Sequence, residues 1–397
     1  MRYATVAHDA APRDPDTCVC KKVRHLPVRL FDTMRRQALP LDAGPEVTIY
    51  TCGITPYDAT HIGHAAVFVT FDVLQRRLRD LGHRTKCVRN ITDVDDDILR
   101  KARSLGVHYL DLAAEEIARF DSDMRDLGLL PAFSEPRATS AIPDILRFID
   151  AVLTSGHAYI SGGSVYFRAS SFPRFGMLSG LSRDEMLELA RERGGKPEDP
   201  NKADPLDFVL WQPSAPDEPS WQSRWGRGRP GWHAECSALA MRELGPTVDI
   251  HGGGEDLIFP HHECEIAQSE AATGQRFVRH WVHVGMVRLD GEKMSKSLGN
   301  LVFVSDLLKE WDPQVIRLAI LANHYRSSWD WSPELLPEAR DRLERWKAGA
   351  GDGETGLVEV REALDDDLNT PSALRHLDAL SDLGGISRAS ALLGISL

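Results

Sequence analysis

Residues 47–64, Val47-Thr-Ile-Tyr-Thr-Cys52-Gly53-Ile54-Thr55-Pro56-Tyr57-Asp58-Ala-Thr-His61-Ile-Gly-His64, constrain this chain more than any other stretch. The β-branched and aromatic run from Val47 to Thr51 predicts a strand that stops at a thiol and a glycine. Val67, Phe71, Leu74, Leu78 and Leu81 then recur at helical spacing, and Gly82 is placed to end the helix. Strand, loop and helix start together make a phosphate seat. The helix end offers unpaired N–H groups and partial positive charge, and the small residues before it admit a nucleotide. By itself His-Ile-Gly-His also describes two half-buried histidines at a helix start. Lys293-Met-Ser-Lys296-Ser297, far downstream, gives the pair its weight.

A chain of 397 residues, 42% of them hydrophobic, can bury a large core and is expected to divide into two or three domains. Its net charge of −12 argues against a broad basic surface for nucleic acid. Six cysteines without a CxxC pair fit a reducing compartment rather than a disulfide framework. Met1 to Lys22 lacks the apolar core of a signal peptide, and no run approaches a membrane span, so a soluble cytoplasmic protein is expected.

Residues 1–28 read as a loose tail in which Cys18 and Cys20, without partner ligands nearby, are free thiols. Residues 29–130 form the first half of a nucleotide-binding domain. Its second strand, Thr85 to Val88, runs into Asn90-Ile91-Thr92 and the acids Asp95 to Asp97. The acids suit a helix start, although such a cluster also attracts magnesium; Asn90 and Thr92 sit where open α/β sheets bind ligands. A helix is expected from Val107 to Leu127. Residues 131–229 read as an inserted domain: a helix near 141–155, a hairpin from Tyr159 to Phe167, a helix over 182–193, and loops in which Trp211, Trp221 and Trp225 act as packing pegs. The second half of the catalytic domain occupies 230–290, with strands at Thr247–Ile250 and Trp281–Val284. The Lys-Met-Ser-Lys-Ser region follows over 291–332, and a helical domain over 333–397.

Two constellations carry chemistry. His61, His64, Lys293 and Lys296 offer imidazole and ammonium donors for the charge that spreads over phosphates when a nucleotide is cleaved, with Mg2+ assisting the leaving group. Cys52, Cys236 and His261, with Glu265 one helical turn beyond, are good zinc ligands, and three firm ligands leave a position for substrate. Their separation in sequence leaves open whether they meet. Cys87 and Cys264 read as small hydrophobes.

The pair His61-Ile-Gly-His64 and Lys293-Met-Ser-Lys296-Ser297 resembles the signature of class I aminoacyl-tRNA synthetases. Cys52-Gly53, Gly231-Trp-His-Ala-Glu-Cys236, the run from Gly252 through Asp256 to Glu263, and Asp365-Asp-Asp-Leu-Asn-Thr-Pro371 narrow the resemblance to the cysteinyl branch, over about residues 29–397. That branch holds cysteinyl-tRNA synthetases and the mycothiol-pathway ligases that join cysteine to the amine of glucosaminyl-inositol. Cys52-Gly-Ile-Thr-Pro-Tyr-Asp-Ala-Thr-His61 resembles the ligases. So does Glu192-Arg-Gly-Gly-Lys196-Pro197, with Lys196 where their signature has Asp. The end at Ala391 to Leu397 leaves no room for an anticodon-binding module. Residues 301–397 carry 10 Lys and Arg against 17 Asp and Glu, a poor face for an RNA stem. Glu265 points the other way, because the synthetases place a fourth zinc ligand there.

The resemblance implies a Rossmann-like α/β nucleotide-binding domain with an inserted α+β domain and a C-terminal helical domain. It implies Zn2+ on Cys52, Cys236 and His261, gripping L-cysteine by a soft thiolate that serine and threonine lack. ATP with Mg2+ is expected across Gly53, Ile54, Thr55 and the His61/His64 helix start, with His61, His64, Lys293 and Lys296 catalytic. Asn90, Ile91, Gly254, Glu255 and Val287 complete the adenylate site; Thr92 and Trp232 frame the amino end of cysteine, and Asp256 faces its ammonium. The expected product is an amide with the aminosugar glucosaminyl-inositol, made by a monomer without a nucleic-acid or membrane partner. A truncated cysteine-tRNA ligase, or a paralogue using another amine, are the alternatives.

Overall fold

The computed structural model describes residues 27–294 and 299–397. The tail with Cys18 and Cys20, and Lys296 with Ser297, lie outside the described residues. Four parallel strands form the central sheet: β1 (Glu46–Ile54), β2 (Arg84–Ile91), β3 (Val248–Gly254) and β4 (Val278–Val284), in the spatial order β4-β3-β1-β2. Both faces are covered, so the central residues of these strands are buried although they include polar groups such as Thr51, Asn90, His251 and His280. Along β1, Val47 and Ile49 enter the core beneath helix α1 (Ile62–Asp80). Tyr50 and Cys52 enter the core beneath α2 (Trp232–Leu244) and α3 (Glu263–Thr273) on the other face. The helix expected at His61 is α1, and it stops where expected, with Gly82 at φ 93°. Asp95 caps the helix Asp96–Leu105, accepting from the N–H groups of Asp97 and Ile98 at 2.9 Å, which is the structural role read for these acids.

Between β2 and α2 the chain builds the helices Tyr109–Asp126 and Ile142–Thr154 and a five-stranded antiparallel sheet. The hairpin within it, Ala158–Ser161 with Ser164–Phe167, turns on Gly162 and Gly163, whose φ values of 56° and 81° suit a two-residue hairpin turn. Ile145, Phe167, Leu210 and Trp211 of this segment share one apolar cluster with Leu239, Ile266 and Trp281, so it is packed against α2 and α3. The C-terminal helices Leu335–Ala348, Leu357–Asp365 and Thr370–Leu380 pack into the same cluster as α1.

That junction contains a buried ion pair. Arg317, fully buried, donates to Asp72 of α1, and also to the carbonyls of Leu393 at 2.7 Å and Leu127 at 3.2 Å. Burial opposes ionisation of Asp72, but Arg317 and Arg76 outweigh it and hold its carboxyl below the ordinary value of 3.8. Removing one partner of such a pair strands the other, so Arg317→Leu should cost about 3–5 kcal/mol in chemical denaturation. A lowered folded pKa contributes stability above the unfolded value and loses it as pH falls through the folded one. The gap between wild type and variant should therefore shrink below pH 3.8.

Candidate active site

β1 has β2 on one side and β3 on the other, and the helices that follow leave toward opposite faces. The crevice between the carboxyl ends of β1 and β3 is thus a topological switch point, where open α/β sheets bind ligands. Cys52-Gly53-Ile54 and Gly252-Gly253-Gly254 end there. Gly53 lies so close to β2 that a Cβ on it would fall 1.7 Å from the Asn90 carbonyl oxygen. Its N–H donates to Asn90 Oδ1 at 2.9 Å, and the Asn90 amide donates to Thr92 Oγ1 at 3.1 Å. Gly53, Asn90 and Thr92 therefore form one hydrogen-bonded edge of the crevice.

Behind that edge Cys52, Cys236, His261 and Glu265 converge, all buried, with one ligand atom from each within 4.8 Å of the others. Cys52 lies near the end of β1, Cys236 in the early turns of α2, His261 in the helical turn Ile258–His262 just before α3, and Glu265 in the first turn of α3. Zinc bonds of about 2.0–2.3 Å in a tetrahedron need ligand atoms roughly 3.3–3.8 Å apart, a spacing this set, with Cys52 Sγ 3.7 Å and His261 Nε2 2.8 Å from Glu265 Oε1, reaches with small adjustments. His261 Nε2 is buried without a hydrogen bond, although Glu265 Oε1 lies 2.8 Å away. A donor set of two sulfurs, an imidazole and a carboxylate, with an unmet nitrogen aimed inward, fits zinc. Burial resists ionisation of Cys236, but a hydrogen bond from Cys52 and the neighbouring His261 bring its thiol down to about 7. Burial likewise opposes charge on Glu265, and His251 and His261 overcome it, holding the carboxyl at about 2.

Trp232 stacks on His261 with ring centroids 3.9 Å apart, and His233 Nδ1 lies 2.8 Å from His261 Nδ1. The nitrogen of His261 that faces Glu265, and that could face a metal, is therefore Nε2. Around these four side chains runs a train of imidazoles: His251 Nε2 to Glu265 Oε2 at 2.6 Å, Cys52 Sγ to His262 Nε2 at 3.3 Å, and His262 Nδ1 to His283 Nε2 at 2.7 Å. The train ends on Thr33 Oγ1, 2.7 Å from His283 Nδ1. Cys52, His251, His262 and Glu265 form a second close set, which shares Cys52 and Glu265 with the first, so the two sets are alternatives for a single ion.

On the phosphate side, His61 caps α1, its Nδ1 accepting from Gly63 N at 3.1 Å, and its ring stacks on His64 with centroids 3.8 Å apart. Lys293, half exposed on the short strand Glu292–Lys293, holds its ammonium 3.5 Å from Asp256 Oδ2. Glu255 Oε1 accepts from Met286 N at 3.3 Å and Ser328 Oγ at 3.0 Å, so it anchors the loop beyond β4. Gly254 adjoins Asp256, whose Oδ1 a Cβ would approach to 2.5 Å, and Thr55 Oγ1 lies 3.5 Å from Asp95 Oδ2. The side chains of Ile54, Ile91 and Val287 are buried in apolar clusters.

Residues 40–341 match the family described as tRNA synthetases class I (C) catalytic domain. The chain belongs to that family. A relative from Thermobispora bispora, named L-cysteine:1D-myo-inositol 2-amino-2-deoxy-alpha-D-glucopyranoside ligase, is 46% identical over 387 residues, 94% of this chain and 96% of its own. The protein of the same name from Mycolicibacterium smegmatis is 49% identical over 362 residues, 88% of each chain. Among solved structures, the Mycobacterium tuberculosis methionyl-tRNA synthetase in complex with methionyl-adenylate has a TM-score of 0.64 at 15% identity, covering 85% of this chain and 82% of its own, a likeness of fold. This class I synthetase family member thus has the Rossmann-like α/β architecture expected from its motifs.

Sequence reasoning did not assign the surrounding groups of this class I domain: His233, His251, His262, His283 and the buried Glu235, whose two oxygens have no hydrogen-bond partner. Burial, then Cys236, push the Glu235 carboxyl well above its ordinary range. The signal available was the density of histidines on apolar segments, His261-His262 and His280-Trp-Val-His283.

Proposed function

We propose that this chain is an AMP-forming ligase that activates L-cysteine with ATP and transfers it to the amine of the aminosugar 1D-myo-inositol 2-amino-2-deoxy-α-D-glucopyranoside. The observation that carries the proposal is the meeting of Cys52, Cys236, His261 and Glu265 beside the Gly53 edge of the switch point, in a chain whose relatives at 46–49% identity bear that ligase name. Zinc held by Cys52, Cys236 and His261 would supply a soft centre for a thiolate, which separates cysteine from serine and threonine. Glu265 is positioned as a fourth ligand. Trp232 and Thr92 bound the pocket at the amino end of the substrate.

ATP lies across Gly53 and the start of α1. A carboxylate oxygen of cysteine attacks the α-phosphorus, and the bond to the pyrophosphate oxygen breaks. His61, His64, Lys293 and Lys296 donate hydrogen bonds to the charge that grows on the phosphates. The sugar amine then attacks the carbonyl carbon, loses a proton and expels AMP, leaving an amide. The enzyme works as a cytoplasmic monomer; among the described residues no helix is long and apolar enough to cross a membrane.

The test is cysteine-dependent ATP–pyrophosphate exchange followed by product analysis, with the aminosugar and tRNA offered side by side. One amide and one AMP per ATP, with the sugar alone, is the expected result. Cysteinyl-tRNA in place of the amide would overturn the proposal.

A further inference from the structure

We infer that Asp367 is a positioning residue for the ATP half of the site, bracing the strands that carry Lys293 against the helix that begins at His61. The inference rests on the functional reading above. Asp365-Asp-Asp-Leu-Asn-Thr-Pro371 lies outside the crevice, bonded on one side to Arg77 in the last turn of α1, the end away from His61, and on the other to the loop that leads to the strands of Lys293. Asp365 takes Arg77 of α1 in two hydrogen bonds of 2.8 and 2.7 Å, and Arg77 is only 1% exposed. Two residues on, Asp367 Oδ1 accepts from Phe31 N at 2.8 Å and the Tyr325 hydroxyl at 2.6 Å, while its Oδ2 accepts from Arg326 Nε at 2.6 Å.

Tyr325 and Arg326 lie where the chain returns to the site. Gly285, just past β4, donates to the Tyr325 carbonyl at 2.7 Å, and Met286 O accepts from Trp329 N at 3.1 Å. Gly285 sits so close to this loop that a Cβ would come within 2.6 Å of the Ser327 carbonyl carbon. The loop continues into Trp329–Trp331, which pairs with Val287–Leu289, which in turn pairs with Glu292–Lys293. One turn therefore ties α1 at Arg77 to the strands at Lys293.

The turn is held in a shape its residues do not favour. Asp367 and Leu368 have φ of 57° and 50°, the left-handed region that leucine avoids and that persists only where surroundings fix it. A carboxylate, and not merely an acceptor, is required, because Oδ2 faces a guanidinium. Asn accepts left-handed φ readily. Asp367→Asn thus keeps the backbone and an acceptor for Phe31 and Tyr325, and turns an amide N–H toward Arg326.

Full-length protein is assayed by cysteine-dependent ATP–pyrophosphate exchange, with zinc content measured in parallel. Asp367→Asn should raise the KM for ATP and lower kcat, a combined loss on the order of 10- to 100-fold as for a small misplacement of reacting groups. The KM for cysteine should stay within about twofold, and zinc content unchanged, because that pocket stands on β1, α2 and α3. Arg326→Gln should reproduce the ATP-side loss, and the double variant should lose no more than either single one. If Asp367→Asn does not fold, Tyr325→Phe, which removes one bond from the same carboxylate, carries the test. Equal losses on the ATP and cysteine sides, additive losses, or an unchanged KM for ATP would overturn the inference. A wild-type protein that does not exchange would instead sink the functional reading.

Discussion

Replacing Cys236 with serine should empty the zinc site and lower cysteine-dependent exchange by about 10³-fold, some 4 kcal/mol of transition-state stabilisation. The size follows from what the thiol does in this position. Cys236 is buried, and its ionisation near neutral pH is sustained by Cys52 and His261. A serine hydroxyl does not ionise in this range, so the ligand set would lose a charge and a soft donor together. On the proposed function, loss of zinc would also remove the group that distinguishes a cysteine side chain from an isosteric hydroxyl. Cys87→Ser is the control: Cys87 is equally buried but lies in the core beneath α1, where burial pushes its thiol up to about 12. It should keep zinc and exchange. Metal analysis and exchange on both variants decide the matter, and a Cys236→Ser protein retaining stoichiometric zinc and activity would remove the basis of the site. Glu265→Gln then reports on the fourth ligand: weaker zinc retention with exchange partly preserved is the expected outcome.

How far the sequence revealed this site depended on the range over which each signal acts. β1 and α1 were legible because alternation and helical spacing are local, and Gly82 and the Gly162-Gly163 turn punctuate them. The strands β2 and β3 run further than propensity predicts. Asn90 and Gly252-Gly253-Gly254 are poor strand formers, yet they lie within strands because backbone pairing continues on both sides of Asn90, at Arg89 and Ile91, and at each of the three glycines. At Gly252 a Cβ would fall 1.8 Å from the Val282 carbonyl oxygen, so close packing of β3 on β4 selects glycine where propensity disfavours it. The segment between β2 and α2 reads in sequence as a change of pattern, and its sharing of one apolar cluster with α2 and α3 is a tertiary fact with no local trace. The same holds for the metal set. Residue types at Cys52, Cys236 and His261 suggested zinc, whereas their meeting depends on a sheet order that brings β1 beside β3. The imidazole train was invisible for a further reason: a buried histidine on an apolar strand looks like any tolerated polar residue until its partners are placed.

The second large effect is expected at the start of α1. Because His61 Nδ1 accepts from Gly63 N, the neutral ring carries its hydrogen on Nε2 and can donate it to a phosphate oxygen. His64 is stacked against it at 3.8 Å, so the two imidazoles reach the same helix end, where the backbone dipole also favours negative charge. His61→Asn retains a capping side chain and so separates the loss of a donor from fraying of the helix. It should lower kcat for exchange about 10²- to 10³-fold, as removing one preorganised donor to a developing oxyanion does, with little change in the KM for cysteine. His64→Asn should fall in the same range, and the double variant should lose much less than the product of the two, since donors that serve one charge act as a unit. Thermal melting should shift by only a few degrees for His61→Asn. A variant that melts like wild type and exchanges at the wild-type rate would show that the phosphate charge is carried elsewhere, and would leave the α1 histidines as packing and capping groups.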